Sequence, residues 1–399
     1  MPVINVKSAP YNAFGDAIHD DSGAIQNAFN DAFGTSGSPH GSNTALNSDV
    51  YFPAGNYLCN SLHLTKVVNG RIFGDNLRAS TLIWSGGAPS PGASIISTDG
   101  FTNSIVENLG FNCNSIDSSN LRIFNLDWQG DTSNGGGLSG NTFFSCFLIG
   151  AGTGLTTGIA VAPSNNGGTS NTFFSVAGQS CCAIKIIGSG ANGNQMLECD
   201  FGGTPKMTWV AGGTNTSLVG CQWSTSVDGG IVQFDSGSVI VAGCRCEQQP
   251  AGLPNWSWLN ITAGSLIVNA CGVQSNGSSG RGFVTMAAPA SVVLDGVFDG
   301  AGSNGKIGGT GTLEIHSARF VGPPDPGQAI SGFTGSLALW RLPNTLYANL
   351  PATPHAGMEA NITDGDNTHL TYLGTTESGG GTRCKKYHYN GTAWALIGI

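Results

Sequence analysis

Met196-Leu197-Glu198-Cys199-Asp200-Phe201, echoed by Leu218-Val219-Gly220-Cys221-Gln222-Trp223, decides how this chain folds. In each, an apolar pair is followed two or three residues later by Cys, Gly or an apolar residue, then by an aromatic. Earlier copies run Ile105-Val106-Glu107-Asn108-Leu109-Gly110-Phe111, Phe143-Phe144-Ser145-Cys146-Phe147 and Phe173-Phe174-Ser175-Val176. Later ones begin at Ile240-Val241, Ile267-Val268, Val293-Leu294 and Glu314-Ile315. The second apolar residues lie roughly 38, 30, 23, 22, 22, 27, 26 and 21 residues apart, the irregular period of a solenoid. Each copy is one short alternating strand bounded by Gly, Asn and Ser, with no helical pattern between copies. Repeats with a strand and no helix stack as coils of a parallel β-helix. The Leu and Asn spacing of a leucine-rich repeat is absent, and the period is too short for four-stranded propeller blades.

Composition agrees with stacked coils. Of 399 residues only 10% are charged, and 62 are glycine, which supplies the positive φ of tight corners. The formal net charge of −9 argues against nucleic acid and anionic lipid, and more weakly against a strongly anionic polysaccharide. No apolar run is long enough to cross a membrane as a helix. Met1-Pro2-Val3-Ile4-Asn5 lacks the apolar core of a signal peptide, so synthesis in a cytoplasm is expected. The eleven cysteines do not form the framework of a small secreted domain. Cys199, Cys221, Cys244 and Cys271 share one cassette position and are expected to form an inward ladder of thiols acting as small hydrophobes. No metal site and no cofactor are expected, because neither Cys181-Cys182 nor Cys244/Cys246 gives two close pairs.

Along the chain, Ala24, Ile25, Ala28, Phe29, Ala32 and Phe33 recur at helical spacing, which predicts an amphipathic helix over about 22–33. Asp20, Asp21 or Ser22 can cap its start, and Gly34 ends it. A strand, Asp49-Val50-Tyr51-Phe52, precedes Pro53-Ala54-Gly55-Asn56-Tyr57. Gly70-Arg71-Ile72-Phe73-Gly74-Asp75 and Thr81-Leu82-Ile83-Trp84 read as early coils, and Gly322-Pro323-Pro324-Asp325-Pro326-Gly327 as a boundary. Residues 1–60 are thus read as a cap with the first strand, 61–321 as coils and 322–399 as a small C-terminal β module.

Ala13-Phe14-Gly15-Asp16, Asp20-Asp21-Ser22-Gly23-Ala24-Ile25 and Val50-Tyr51-Phe52-Pro53-Ala54-Gly55-Asn56-Tyr57 resemble the N-terminal signature of the pectate-lyase-like superfamily, with Ser22 where Thr is usual. The resemblance implies a right-handed parallel β-helix whose open end is plugged by the helix. It covers polysaccharide lyases, polygalacturonase-like glycosidases and phage tail spikes, so it implies a fold and not a chemistry. Gly357-Met358-Glu359-Ala360-Asn361-Ile362-Thr363-Asp364 and Tyr389-Asn390-Gly391-Thr392-Ala393-Trp394 resemble a C-terminal module of phage and prophage tail proteins. Tyr389-Asn390-Gly391-Thr392 also reads as a type I′ hairpin turn. This second resemblance implies a virion tail location and a homotrimer.

Candidate chemistry follows from alternation. If Cys199 points inward, Glu198 and Asp200 point outward, about 7 Å apart along one strand, a spacing compatible with paired-carboxylate glycoside hydrolysis. Gln222 and Arg245 extend that polar strip over the next coils, with Asp235 and Glu247 beside it. Trp256 and Trp258, in Pro254-Asn255-Trp256-Ser257-Trp258, are read as an inserted loop able to stack on sugar rings. The catalytic candidates are therefore Glu198, Asp200, Asp235 and Glu247, and the substrate-binding candidates Gln222, Arg245, Trp256 and Trp258. A lyase needs a base and often calcium, yet basic residues in the coils are few and His316 stands beside Glu314. The expected partner is a bacterial surface polysaccharide, with hydrolysis favoured over elimination. The competing readings are a non-catalytic receptor-binding fibre and an extracellular lyase. Outward carboxylates that merely solvate a solenoid face are the bland alternative at every position.

Overall fold

The cassette folds as one short strand, a sharp corner, and a second short strand. In the computed structural model, described residues are 2–43, 46–128, 137–152, 155–161, 164, 167–203, 206–225, 229–248, 256–275, 281–299, 307–316, 318–320, 332–333, 336–339, 342–345, 359–365, 383–389, 392 and 394–398. They fall into two compact units, Met1–Thr225 and Ser226–Ile399.

The first unit is a three-faced stack of parallel strands. Face I runs from Val3–Asn5 through Asp49–Phe52, Arg71–Gly74, Ile105–Glu107, Thr142–Phe144, Thr172–Phe174 and Gln195–Leu197 to Thr216–Val219. After each coil strand of face I the chain turns into face III, for example Gly110–Asn112, Phe147–Ile149, Ala177–Gln179, Asp200–Gly202 and Gln222–Thr225. It returns through face II, which includes Leu121–Leu126, Thr157–Val161, Cys182–Ile186 and Thr208–Val210. Registers are strict: Val106 pairs with Phe143, Phe143 with Phe173, Phe173 with Met196 and Met196 with Leu218, all fully buried.

The corner from face I to face III has a fixed recipe. Asn108, Ser145, Ser175, Glu198 and Gly220 occupy it with φ between 51° and 64°. The residue after each, Leu109, Cys146, Val176, Cys199 or Cys221, turns inward and is buried. The thiols do more than fill space there. Cys199 Sγ donates to Phe173 O at 3.3 Å and Cys221 Sγ to Met196 O at 3.3 Å, satisfying carbonyls beside the bend.

A second ladder lines the corner before face I. Asn141, Asn171 and Asn194 are completely buried. Asn141 Nδ2 donates to Asn171 Oδ1 (2.8 Å), and Asn171 Nδ2 to Asn194 Oδ1 (2.9 Å). The same oxygens accept backbone N–H groups of Asn141 (3.3 Å) and Asn171 (3.1 Å), so the side-chain oxygens close hydrogen bonds that the bend opens, while Asn194 Nδ2 at the end of the ladder has no partner among the described residues.

The predicted helix is Ser22–Phe33, burying Ile25, Ala28, Phe29, Ala32 and Phe33, with Phe29 edge-on to Phe52. Asp21 is its N-cap residue, yet its carboxylate makes no cap bond to the helix. It accepts instead from Phe14 N (2.7 Å) and Gly15 N (2.9 Å), tying the Gly-Asp loop down. The local cap is Asp20, whose Oδ1 accepts from Ser22 N at 2.9 Å. Gly34 ends the helix at φ 87°, as read from the sequence.

The second unit has three parallel faces of the same kind, with Ser238–Ala242, Ser265–Asn269, Ser291–Asp295 and Thr312–Ile315 among the strands of face I. Gly243, Ala270 and Gly296 take the left-handed corner, and Cys244 and Cys271 are buried behind it. The small C-terminal module is a separate four-stranded sheet of Leu342–Thr345, Glu359–Gly365, Arg383–Tyr389 and Trp394–Gly398. Tyr389 pairs with Trp394 across an antiparallel hairpin, while turn residues 390, 391 and 393 lie outside the described residues.

Candidate functional site

Alternation on face I puts every second side chain outside, and registry stacks those side chains into columns. One column of the first unit reads Tyr51, Phe73, Glu107, Phe144, Phe174, Leu197, Val219. Six steps of strand spacing make it about 29 Å long. Tyr51 stacks on Phe73 (centroids 5.0 Å apart), and Phe144 on Phe174 (5.5 Å, rings 7° from parallel). Phe144 and Val219 are exposed and Phe174 half-buried, so the outer wall carries an open apolar track.

At the start of the track sits a charged cluster that the sequence reading did not single out. Arg71 lies over the Phe73 ring (4.1 Å) and donates through Nε to Glu107 Oε1 (2.7 Å), with a second bond from Nη2 to the same oxygen. Its Nη1 is 3.6 Å from Asp49 Oδ2. One guanidinium thus bridges two carboxylates, Glu107 and Asp49. Asp49 Oδ1 is buried and, among the described residues, has no hydrogen-bond partner. Next to it the Tyr51 hydroxyl donates to Asp75 Oδ1, while Asp75 Oδ2 accepts from Ala54 N at 2.7 Å. Hydrogen bonding to a carboxylate and partial burial push the Tyr51 phenol up, so it stays a donor.

At the other end of the same wall stand Glu198 and Asp200. Both are exposed with Cys199 buried between them, as alternation requires. They do not share one strand, however: Glu198 occupies the left-handed corner (φ 51°), and Asp200 opens the strand of face III. The two carboxylates flank the bend instead of lying along a straight 7 Å step. Gln222 pairs in register with Asp200 and is half-buried. Elsewhere in this corner column of the first unit stand Asn, Ser and Gly, which tolerate positive φ or bond locally. In the second unit Ala270 takes the same corner at φ 50°, so positive φ there belongs to the corner and not to Glu198 alone.

The remaining predicted residues belong to the second unit. Arg245 and Glu247 project from one strand of face III around buried Cys246, and pair with each other at 2.5 Å. Asp235 follows a strand of face II and accepts from Gln233 Nε2 (2.6 Å) and Thr262 Oγ1 (3.0 Å). A whole strand of face I, Ser238–Ala242, separates it from Arg245 along the chain. Trp258 corrects the sequence reading. Trp256–Ile261 is a strand of face II, not an inserted loop, and Trp258 points into the core, fully buried and edge-on to Phe283 at 5.2 Å. It cannot stack on a sugar. Pro254-Asn255 and the Trp256 side chain lie outside the described residues.

Residues 3–196 match the family described as rhamnogalacturonase A/epimerase, pectate lyase-like, a span holding the whole Asp49–Glu107 cluster and stopping just short of Glu198. The chain folds as a parallel β-helix, and the stretch 3–196 of it is similar to that pectate-lyase-like family. No curated protein matches the sequence. Among solved structures, ORF18 of Geobacillus virus E2 is similar at 11% identity over 99% of this chain and 75% of that one (TM-score 0.47). The Streptococcus pneumoniae surface adhesin PfbA is similar at 14% identity over 84% and 96% (TM-score 0.44). The gp42 tailspike of Acinetobacter phage vb_AbaP_AS12 is similar at 10% identity over 94% and 64% (TM-score 0.46). Such likenesses concern the fold alone.

Proposed function

We propose that the protein is a tail-spike-like component of a phage or prophage particle that lays a bacterial surface polysaccharide along the outer wall of face I. Cleavage is by glycoside hydrolysis, with Glu198 and Asp200 as the carboxylate pair and Gln222 beside them. The observation that supports this reading is the outer column Tyr51, Phe73, Glu107, Phe144, Phe174, Leu197 and Val219, beside which exposed Glu198 and Asp200 flank one corner. Aromatic side chains stacked at strand spacing give a bound glycan an apolar surface, and the carboxylates supply the acid and the base or nucleophile. The C-terminal motifs support the particle setting, and a homotrimer is part of the proposal.

The test is release of new reducing ends from a panel of bacterial surface polysaccharides, with Glu198→Gln and Asp200→Asn beside the parent protein. Cleavage abolished by both substitutions is expected. Cleavage that survives both removes this pair. A protein that binds cells and cuts no glycan is a receptor-binding fibre, the second reading; Arg71 and Arg245, each holding carboxylates in ion pairs, favour that role. Mass in solution checks the trimer.

A further inference from the structure

The outer wall of face I in the first unit carries two parallel columns of side chains, and its charge is concentrated in one place. Beside the ring column, registry aligns Arg71, Ile105, Thr142, Thr172 and Gln195, with Asp49 on the strand before Arg71. Within these columns the charged side chains are Asp49, Arg71 and Glu107, two acids and one base. Glu107 stands between Phe73 and Phe144 in the ring column, where a further aromatic would complete the stack. The Arg71 guanidinium lies over the Phe73 ring at 4.1 Å, and its Nε and Nη2 both donate to Glu107 Oε1. The Arg71 side chain is 42% exposed, against 16% for Glu107 and 13% for Asp49, so a ligand meets the cation first. Asp75 adds an exposed acid at the head of the column, where it takes the Tyr51 hydroxyl. Lys7, outside both columns, is directed to Ala54 O (2.8 Å) and the Tyr57 ring.

We infer, resting on the reading of face I as the glycan wall, that Glu107 is a specificity-determining residue. By holding Arg71 it closes the wall to glycans bearing carboxylate or sulfate groups and leaves it open to uncharged sugars. An exposed arginine beside aromatic rings is otherwise an anchor for an acidic sugar, because a guanidinium takes a carboxylate or sulfate through paired, charge-assisted hydrogen bonds. Here those bonds are made within the chain. Two carboxylates share the one cation, so a glycan carboxylate arriving there is the third acid on a single base. A sugar hydroxyl brings no charge and accepts from the N–H groups that Glu107 leaves unused. Phe73 and Phe144 on either side offer apolar contact to either kind of glycan, so the discrimination falls to Glu107.

Hexagalacturonate and its methyl ester share a backbone and differ in charge. Each is titrated calorimetrically into the parent protein and into Glu107→Gln, which keeps an acceptor for Arg71. The parent is expected to bind the ester tighter than the acid. Glu107→Gln is expected to raise the affinity for the acid about fivefold, the factor for one unit charge ~4 Å away in water, and to leave the ester unchanged. Equal binding of acid and ester by the parent, or an acid affinity unmoved by Glu107→Gln, overturns the assignment. Ester binding that Phe174→Ala does not weaken removes the face I reading instead. The charge assignment also has a readout that needs no glycan. A nitroxide is attached at Thr142→Cys, whose strand pairs with that of Glu107, with the unsubstituted protein as background. Its collisions with anionic chromium oxalate and with a neutral nickel complex are compared by spin relaxation. Glu107→Gln is expected to raise the anionic-to-neutral ratio about twofold, the factor for one charge ~8 Å away. An unchanged ratio overturns the inference whether or not either oligomer binds. Asp75→Asn, at an exposed position, is expected to shift both readouts in the same direction and stands in if Glu107→Gln lowers the melting temperature.

Discussion

Replacing Asn171 by Ala tests whether buried amides hold the coils in place. The substitution deletes three hydrogen bonds: Asn171 Nδ2 to Asn194 Oδ1, and to Asn171 Oδ1 from both Asn141 Nδ2 and Asn141 N. Asn141 Nδ2 keeps Phe101 O at 2.6 Å, but the Asn141 backbone N–H is stranded in a site with no solvent access. At about 1 kcal/mol net for each lost bond and about 1–2 kcal/mol more for the stranded donor, the cost is about 4–5 kcal/mol. Asn171→Asp is expected to be worse, because it faces Asn194 Oδ1 with a second acceptor and buries a charge. Thr172→Ala, one residue on and outward, is expected within about 0.5 kcal/mol of the parent. Urea unfolding followed by fluorescence gives the midpoints, and unfolding rates at fixed urea supply a second measure where the two units unfold separately. An Asn171→Ala midpoint shifted by less than about 1 kcal/mol, or Asn171→Asp no worse than Ala, refutes the reasoning.

Phe174→Ala removes half of the stacked pair on the face I wall and is expected to weaken glycan binding about tenfold with little loss of stability, measured by calorimetric titration with whichever polysaccharide is bound. Glu198→Gly relieves the left-handed corner, so stability is kept or rises by up to about 1 kcal/mol while cleavage is lost; a clear drop in melting temperature sinks the strain argument. The ten cysteines whose side chains are described are all free and buried, and burial holds Cys146 up at about 12, leaving a thiolate fraction of about 10⁻⁴ at pH 8; none of the ten is expected to react with a thiol reagent until the chain unfolds. Because the folded state raises that pKa, the stabilisation is complete below the unfolded value near 9 and is lost as pH rises from there toward 12. Stability should therefore fall by about 1.4 kcal/mol per pH unit for such a thiol, and Cys146→Ala should flatten the alkaline slope.

The coil strands were legible because burial imposes a two-residue alternation that survives even in three-residue strands, as Val106, Phe143, Phe173, Met196 and Leu218 show. The inward thiols were legible for the same reason. What the residues hid was conformation at corners. Asn141, Asn171 and Asn194 read as loop punctuation, since a buried amide and an exposed one look alike in one dimension. Their signal was the repeated Asn-x-φ-φ pattern ahead of each strand, where φ is apolar. Glu198 was read as a strand residue because nothing in a glutamate announces positive φ. Pro254-Asn255 suggested a loop and carried Trp258 with it, whereas the strand starts at Trp256. Arg71 and Glu107 lie 36 residues apart, and only the register of adjacent coils brings them together.

Two neighbouring rungs, Asn141-Thr142-Phe143-Phe144-Ser145 and Asn171-Thr172-Phe173-Phe174-Ser175, are identical in sequence. To a nascent chain they are interchangeable berths, and slipping by one whole coil would look locally correct to every neighbour. What distinguishes them is the border of the amide series. Ser104, whose N–H donates to Asn141 Oδ1 and whose hydroxyl accepts from Gly70 N, closes it on one side; on the other it stops at Thr216, where the Asn194 amide nitrogen and the Thr216 hydroxyl are buried without a hydrogen-bond partner among the described residues. Those two hydroxyl residues act as frame markers, so swapping either for asparagine would lengthen the series and raise the share of chains assembled one coil out of step.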